Sequence, residues 1–286
     1  MSGWHKAGWQ AAPLLLLVCM PALADQGDYL LAGGLESDTD GTLAVSATAE
    51  RALTDATWGS LTAAHTNVDI ERRPSLDTWY AEAGLDHHFD PLGVRLAAVY
   101  WGDDDVLDSV DGRFRVYWRE PRFTLAGDFE YRDFEFDLPG GTLLPGRTVS
   151  FDARGVGAMA RLDLGESVDV SVSGMSYDYS VNLRLDQNRG IARLLNVSRL
   201  SLINSLVDER VSFSVGFEQG LRRYELSLSS WEGAVDGSRT RSATLRFLTP
   251  LSDRSDIELG LGYDDSDLYG DVTFFSVFLY FYGGGA

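Results

Sequence analysis

From Asp25 onward, apolar and polar positions alternate with a period of two. Leu43, Val45, Ala47 and Ala49 fall on one side, with Ala44, Ser46, Thr48 and Glu50 on the other. Trp79, Ala81, Ala83 and Leu85 oppose Tyr80, Glu82, Gly84 and Asp86, and Leu92, Val94, Leu96, Ala98 and Tyr100 oppose Gly93, Arg95, Ala97, Val99 and Trp101. Each run predicts a strand whose two faces meet different media. Strands at 113–119, 122–132, 148–163 and 167–181 continue the theme, which resumes with Val211, Phe213, Val215 and Phe217 and runs to 271–282. Short turns, such as those at Thr54-Asp55, Glu120-Pro121, Gly165-Glu166 and Gln219-Gly220, alternate with longer loops. Among the longer ones, 102–112 reads as an acidic loop carrying Asp103, Asp104, Asp105, Asp108 and Asp111, and another passes through Pro139-Gly140-Gly141 and Pro145-Gly146. The count is about 14 strands, or 12 if the segments at 29–35 or 57–67 fail to span, at about 19 residues for each strand and its connection; membrane strands need only ~9 to 11.

One segment departs from the theme. Over 189–207, Ile191, Leu194, Leu195, Ser198, Leu202 and Leu206 recur at helical spacing, which predicts a short helical insert in a long connection. It could enter the lumen, cover the outer rim or dock on a partner. The final strand, 271–282, is the most aromatic of all: Thr273, Phe275, Val277, Leu279 and Phe281 form a nearly apolar row, and Phe274, Ser276, Phe278, Tyr280 and Tyr282 a mixed one. Here the chain resembles Gram-negative outer-membrane β-barrel proteins, whose last strand carries an insertion signal: a polar residue, a glycine, a hydrophobic residue and a terminal aromatic. Ser276 stands in the glycine position, with Leu279 and Phe281 as the last two elements, while the polar position falls on Phe274. The resemblance implies an all-β fold, a transmembrane antiparallel up-and-down β-barrel. It also implies short turns toward the periplasm, insertion by the barrel-assembly machinery, and outer-membrane lipid and lipopolysaccharide as surroundings.

The ends and the composition agree with export. Residues 1–24 contain His5 and Lys6, an apolar run from Pro13 to Val18, and Ala22-Leu23-Ala24 before Asp25, the layout of a cleaved secretory signal. The barrel domain is then 25–286. Cys19, the single cysteine, lies within the signal behind Val18, so neither a lipid anchor nor a disulfide is expected. The formal charge of −19 argues against nucleic acid as a partner. Lys6 is the only lysine, so every later side-chain cation apart from histidine is arginine, the residue suited to fixed, forked ion pairs.

Projected inward, the alternation places Arg95, Arg113, Arg115, Arg119, Arg132 and Arg154 as a basic wall. Glu50, Glu82 and Asp86 form an acidic wall beside it, and Asp128, Glu130 and Asp152 interleave with the arginines. A charge on the lipid face at mid-membrane costs about 2–4 kcal/mol, so a lumen is where stability requires them. These groups either pair to fill a narrow barrel or set a field across a water-filled pore, as in the general and substrate-specific porins that the arrangement resembles. The leading expectation is an outer-membrane channel for small polar solutes. The alternative is a barrel closed by its insert that serves as a scaffold for a periplasmic or surface component, with the Tyr177-Asp178-Tyr179 loop as a contact. A lipid hydrolase of the outer membrane would need a histidine and a serine close together, and none of His65, His87 and His88 has a serine two residues away. Adjacent His87 and His88 point to opposite faces of a strand, which disfavours a metal site with Asp86 and Asp90. No catalytic residue, metal or cofactor is expected.

Overall fold

A computed structural model describes residues 28–68, 76–103, 107–138, 147–181, 206–235, 237–268 and 270–284. Fourteen strands form a closed barrel in which each pairs antiparallel with its sequence neighbours, and β1 (Tyr29–Asp38) closes on β14 (Gly270–Gly283). The others are β2 (Thr42–Thr54), β3 (Thr57–Val68), β4 (Leu76–Phe89), β5 (Leu92–Asp103), β6 (Leu107–Glu120) and β7 (Phe123–Leu138). They continue as β8 (Arg147–Asp163), β9 (Val168–Tyr179), β10 (Val207–Gln219), β11 (Arg222–Gly233), β12 (Arg239–Ser252) and β13 (Ser255–Ser266). Closure leaves no edge strand, and the ladders run continuously round the sheet apart from register shifts at 52–54, 207–209 and 250–252, as a hydrocarbon surrounding demands.

The outer surface is apolar. Leu61, Leu85, Leu96, Phe114, Val116 and Leu125 belong to a belt of exposed large hydrophobic residues that continues round the barrel to Leu261 and Phe275. Such a surface would be a severe aggregation hazard in water; in a bilayer it is matched to the acyl chains. Aromatic residues edge the belt at the short-turn end, where the Trp118 ring meets Phe123 edge-on at 5.7 Å and Tyr224 lies 5.0 Å from Phe247. At the other end His65 lies against Trp79 at 4.4 Å, with Tyr100, Tyr131 and Tyr263 also exposed. These are the two interfacial girdles of a membrane barrel.

Inside, aromatic rings lie over glycines on the neighbouring strand. A Cβ built on Gly155 would stand 2.6 Å from the Tyr177 ring, and one on Gly34 would stand 2.2 Å from Phe278. The pairs Gly155↔Tyr177 and Gly34↔Phe278 face each other directly in the register. The glycine supplies the room that a ring needs to lie flat on the sheet, and the ring covers backbone that the glycine leaves bare.

Two expectations change, and two others fall outside the described residues. The acidic loop at 102–112 shortens at both ends, because β5 runs to Asp103 and β6 starts at Leu107, so Asp103, Asp108 and Asp111 are strand residues; 104–106 lie outside the described residues. Tyr177 and Tyr179 are likewise part of β9 and not of a loop. The helical insert at 189–207 lies outside the described residues except at its end: Leu206 is buried and Val207 opens β10. The signal at 1–24 also lies outside them.

Candidate pore and its charged wall

Residues opposite each other across an antiparallel pair share a face, so the register assigns every luminal side chain. On β4 to β7 the inner rows carry Glu82 and Asp86, then Arg95, then Asp111, Arg113, Arg115 and Arg119, then Asp128, Glu130 and Arg132. They are knitted into one network. Arg95 Nη2 donates to Glu82 Oε1 at 3.0 Å, and Arg113 Nη1 donates to Glu82 Oε2 at 3.2 Å. Arg113 Nε lies 3.3 Å from Glu130 Oε1, close enough for an ion pair but misaligned for a hydrogen bond. Arg115 forks onto Asp128 through Nε at 2.6 Å and Nη2 at 3.3 Å. Arg132 Nε donates to Asp111 Oδ2 at 3.2 Å, and both side chains are buried.

Tyrosines complete the acceptors. Tyr80 donates to Glu82 at 2.5 Å, Tyr117 to Asp86 at 2.6 Å and Tyr177 to Glu130 at 2.6 Å. Ser109 bonds Asp111 from two residues away on the same strand face. The Arg119 guanidinium lies over the Tyr117 ring at 5.2 Å, and that of Arg132 over Phe134 at 4.9 Å. Arginine suits these positions because its planar fork can pair with a carboxylate and stack on a ring at once. The absence of lysine downstream of Lys6 thus has a structural counterpart.

The arrangement differs from a basic wall with a separate acidic wall beside it. Glu82 and Asp86 sit among the arginines, so the charges of β4 to β7 largely cancel at contact distance and leave little transverse field. Glu50 stands apart, at the short-turn mouth. There a cavity of about 600 Å³ is bordered by Leu30, Glu50, Trp58, Arg254 and Tyr282. Arg154 and Asp152 are corrections: they face Tyr131 and Asp133 across β7, on the outer row, while Phe151 and Ala153 point inward. The cause is an inversion of polarity along β7 and β8. Near the long loops, Phe134, Phe136 and Phe151 pack inside with Trp101, Leu107 and Leu206, and the outer row turns polar with Asp133, Glu135, Asp152 and Arg154. This part of the sheet therefore has its apolar side on a packed interior and its polar side outward, the reverse of the pattern in the belt.

Sequence reasoning missed Asp111, assigned to a loop although it shares parity with Arg113 and Arg115. It also missed a second network, on β9 to β13. Arg223 forks onto Asp169 at 2.7 and 3.1 Å and reaches Glu225 at 3.3 Å, while Arg246 lies 3.6 Å from Glu225. Both arginines continue the alternation of their strands, so parity would have found them. Above this network the inner rows are small and hydroxylated: Ser212, Ser214, Ser227, Ser229, Ser242 and Thr244. In the last strand Ser276 is buried toward the lumen, and Leu279 and Phe281 face outward and are exposed.

The histidines divide as strand geometry requires. His87 accompanies Phe89 outside at 5.8 Å, and His88 stacks over Tyr117 inside at 6.1 Å. His65 Nε2 lies 3.2 Å from Asp77 Oδ1, an oxygen that also accepts from Asn67 Nδ2 at 2.8 Å, but its cross-strand neighbours are Val45 and Trp79. Among the described residues, no group of three or more His, Cys, Asp or Glu side chains could hold a metal ion.

No protein-family model matches the sequence, and no relative is found among curated proteins. Solved structures do match. The CymD monoaromatic hydrocarbon channel is 8% identical, with a TM-score of 0.57 over 98% of this chain and 93% of that one. A loop-deletion form of OmpT, an outer membrane protein of Vibrio cholerae, is 9% identical, with a TM-score of 0.50 over 89% and 98%. At such identities the likeness is one of fold, and that fold, in its closure, strand number and apolar belt, is the outer-membrane β-barrel.

Proposed function

We propose that the protein is an outer-membrane channel through which small polar solutes diffuse passively. The observation that carries this reading is the contrast between the two faces of one closed sheet: hydrocarbon-matched outside, and lined inside by ion pairs and hydroxyls that require water or one another. A barrel that only filled its interior would need no rows of serine along β10 to β12. The membrane is the outer one, reached through the export signal at 1–24, with β14 and its Ser276, Leu279 and Phe281 read by the assembly machinery. The short turns face the periplasm, and the long loops face the lipopolysaccharide surface. Within this reading Arg95, Arg113, Arg115, Arg119 and Arg132, with Glu82, Asp86, Asp128 and Glu130, line one wall of the pore, and Glu50 lies at its periplasmic mouth.

One observation favours a second reading. The cluster of Trp101, Phe134, Phe136 and Phe151 fills the outer part of the lumen on the β5 to β8 side, as a barrel that holds a partner and conducts nothing could afford. Planar bilayers separate the two. Purified protein, shown to be a folded barrel by its heat-modifiable migration in a gel, is expected to give discrete conductance steps. Silence across repeated insertions of folded protein would sink the channel and leave the scaffold.

A further inference from the structure

Resting on the channel reading, we propose that solutes pass along the side of the lumen formed by β10 to β14 and β1 to β3, and that this side makes the pore select cations over anions. The two halves of the inner wall differ in bulk. On β4 to β8 long arginine side chains, their carboxylate partners and the Trp101–Phe134–Phe151 cluster project inward. On β10 to β12 the middle of the inner rows is serines and a threonine, and on β2 and β3 the hydroxyls of Thr48 and Thr62 meet at 3.1 Å, while the Phe274 and Phe278 rings of β14 lie over Gly262 and Gly34 and so keep close to the wall. Open volume follows small side chains, and the cavity beside Glu50, Leu30 and Tyr282 lies on this side.

The halves also differ in charge. On β4 to β7, Glu82, Asp86, Asp111, Asp128 and Glu130 are matched by Arg95, Arg113, Arg115, Arg119 and Arg132. On the other side the inner rows hold Glu36, Asp38, Glu50, Glu225, Asp256, Glu258 and Asp264, against Arg210, Arg223 and Arg246. Arg223 is already committed to Asp169, and Arg246 lies between Glu225 and Glu258 at 3.6 and 4.0 Å. A path bordered by surplus carboxylates, with low-dielectric walls around it, concentrates cations and repels anions. The solutes it fits are small and carry positive charge.

The test uses the exported protein, which on the reading of 1–24 as a cleaved signal carries no cysteine of its own, each variant first checked for heat-modifiable migration. Under a KCl gradient in planar bilayers, the zero-current potential is expected to give a potassium-to-chloride permeability ratio of about threefold or more. Neutralising Glu36, Glu50 and Glu258 together as glutamines should bring the ratio toward one, and Glu50→Gln alone, at the solvated mouth, should lower it in part. Glu135→Gln, on the outer row, should leave it unchanged. In a second arm, Ser229→Cys is expected to react with a cationic thiol reagent and lose conductance severalfold, whereas Ser109→Cys, buried on the bulky side, should not respond. A conducting barrel with a ratio at or below one overturns the cation preference. A response at Ser109→Cys without one at Ser229→Cys overturns the path. Absence of conductance in every folded preparation removes the channel reading itself, and this inference with it.

Discussion

At the scale of single residues, burial sets what each ion pair contributes. Arg115 is about two-fifths exposed in its fork onto Asp128, whereas the side chains of Asp111 and Arg132 are 1% and 3% exposed. Removing one partner of a buried pair strands a charge without water, at a cost of about 3–5 kcal/mol, while a pair in contact with solvent is worth under about 1 kcal/mol. Asp111→Asn should therefore lower the urea midpoint of the detergent-folded barrel far more than Asp128→Asn does. Equal shifts would mean that Asp111 has access to water. The difference is invisible in the sequence, where both are aspartates beside arginines; it comes from the aromatic cluster above Asp111.

At the scale of elements, a strand here is specified by its face and by what lies over it. Gly155 lies on the inner row of β8 and Gly127 on the outer row of β7: the first has the Tyr177 ring over it, and the second has no atom within 4 Å of where a Cβ would stand. Gly155→Ala should displace the ring and disturb its bond to Glu130, destabilising the β8–β9 pair by about 1–3 kcal/mol. Gly127→Ala should be neutral or slightly stabilising, since alanine loses less backbone entropy than glycine. Unfolding in urea, followed by tryptophan fluorescence, measures both, and a neutral Gly155→Ala would show that the ring is not held in place. The alternation alone marks these glycines as strand positions. Which of them receives a ring depends on register, and register is a property of two strands.

At the scale of the whole molecule, the outward rows are continuous only because the sheet closes, and the bilayer then acts on the entire surface at once. Leu96 lies in the middle of the belt, with Leu85 and Phe114 as its neighbours across the sheet. Leu96→Arg should cost about 2–4 kcal/mol in lipid. Arg154→Leu, on the outer row of the polar extension of β8, should change stability by less than about 0.5 kcal/mol. Folding titrations into lipid vesicles test the pair; a tolerated Leu96→Arg would mean that the belt does not face hydrocarbon.

The sequence by itself determined the class of fold, a count of about 14 strands with 12 left open, the alternation of short turns with longer loops, and which faces of β2, β4 to β6 and β10 to β14 look outward. All of these follow from a period of two and from turn chemistry, which are local and survive without knowledge of partners. Tertiary structure alone decided which charges meet, that Glu82 and Asp86 join the arginines while Glu50 stays apart, and that Phe151 turns in while Arg154 turns out. The reason is that polarity reports the medium on each side of the sheet, and along β7 and β8 that medium changes within a single strand. A period of two shows that two faces differ, but only the closed barrel shows which of them meets lipid, which meets water, and where the one gives way to the other.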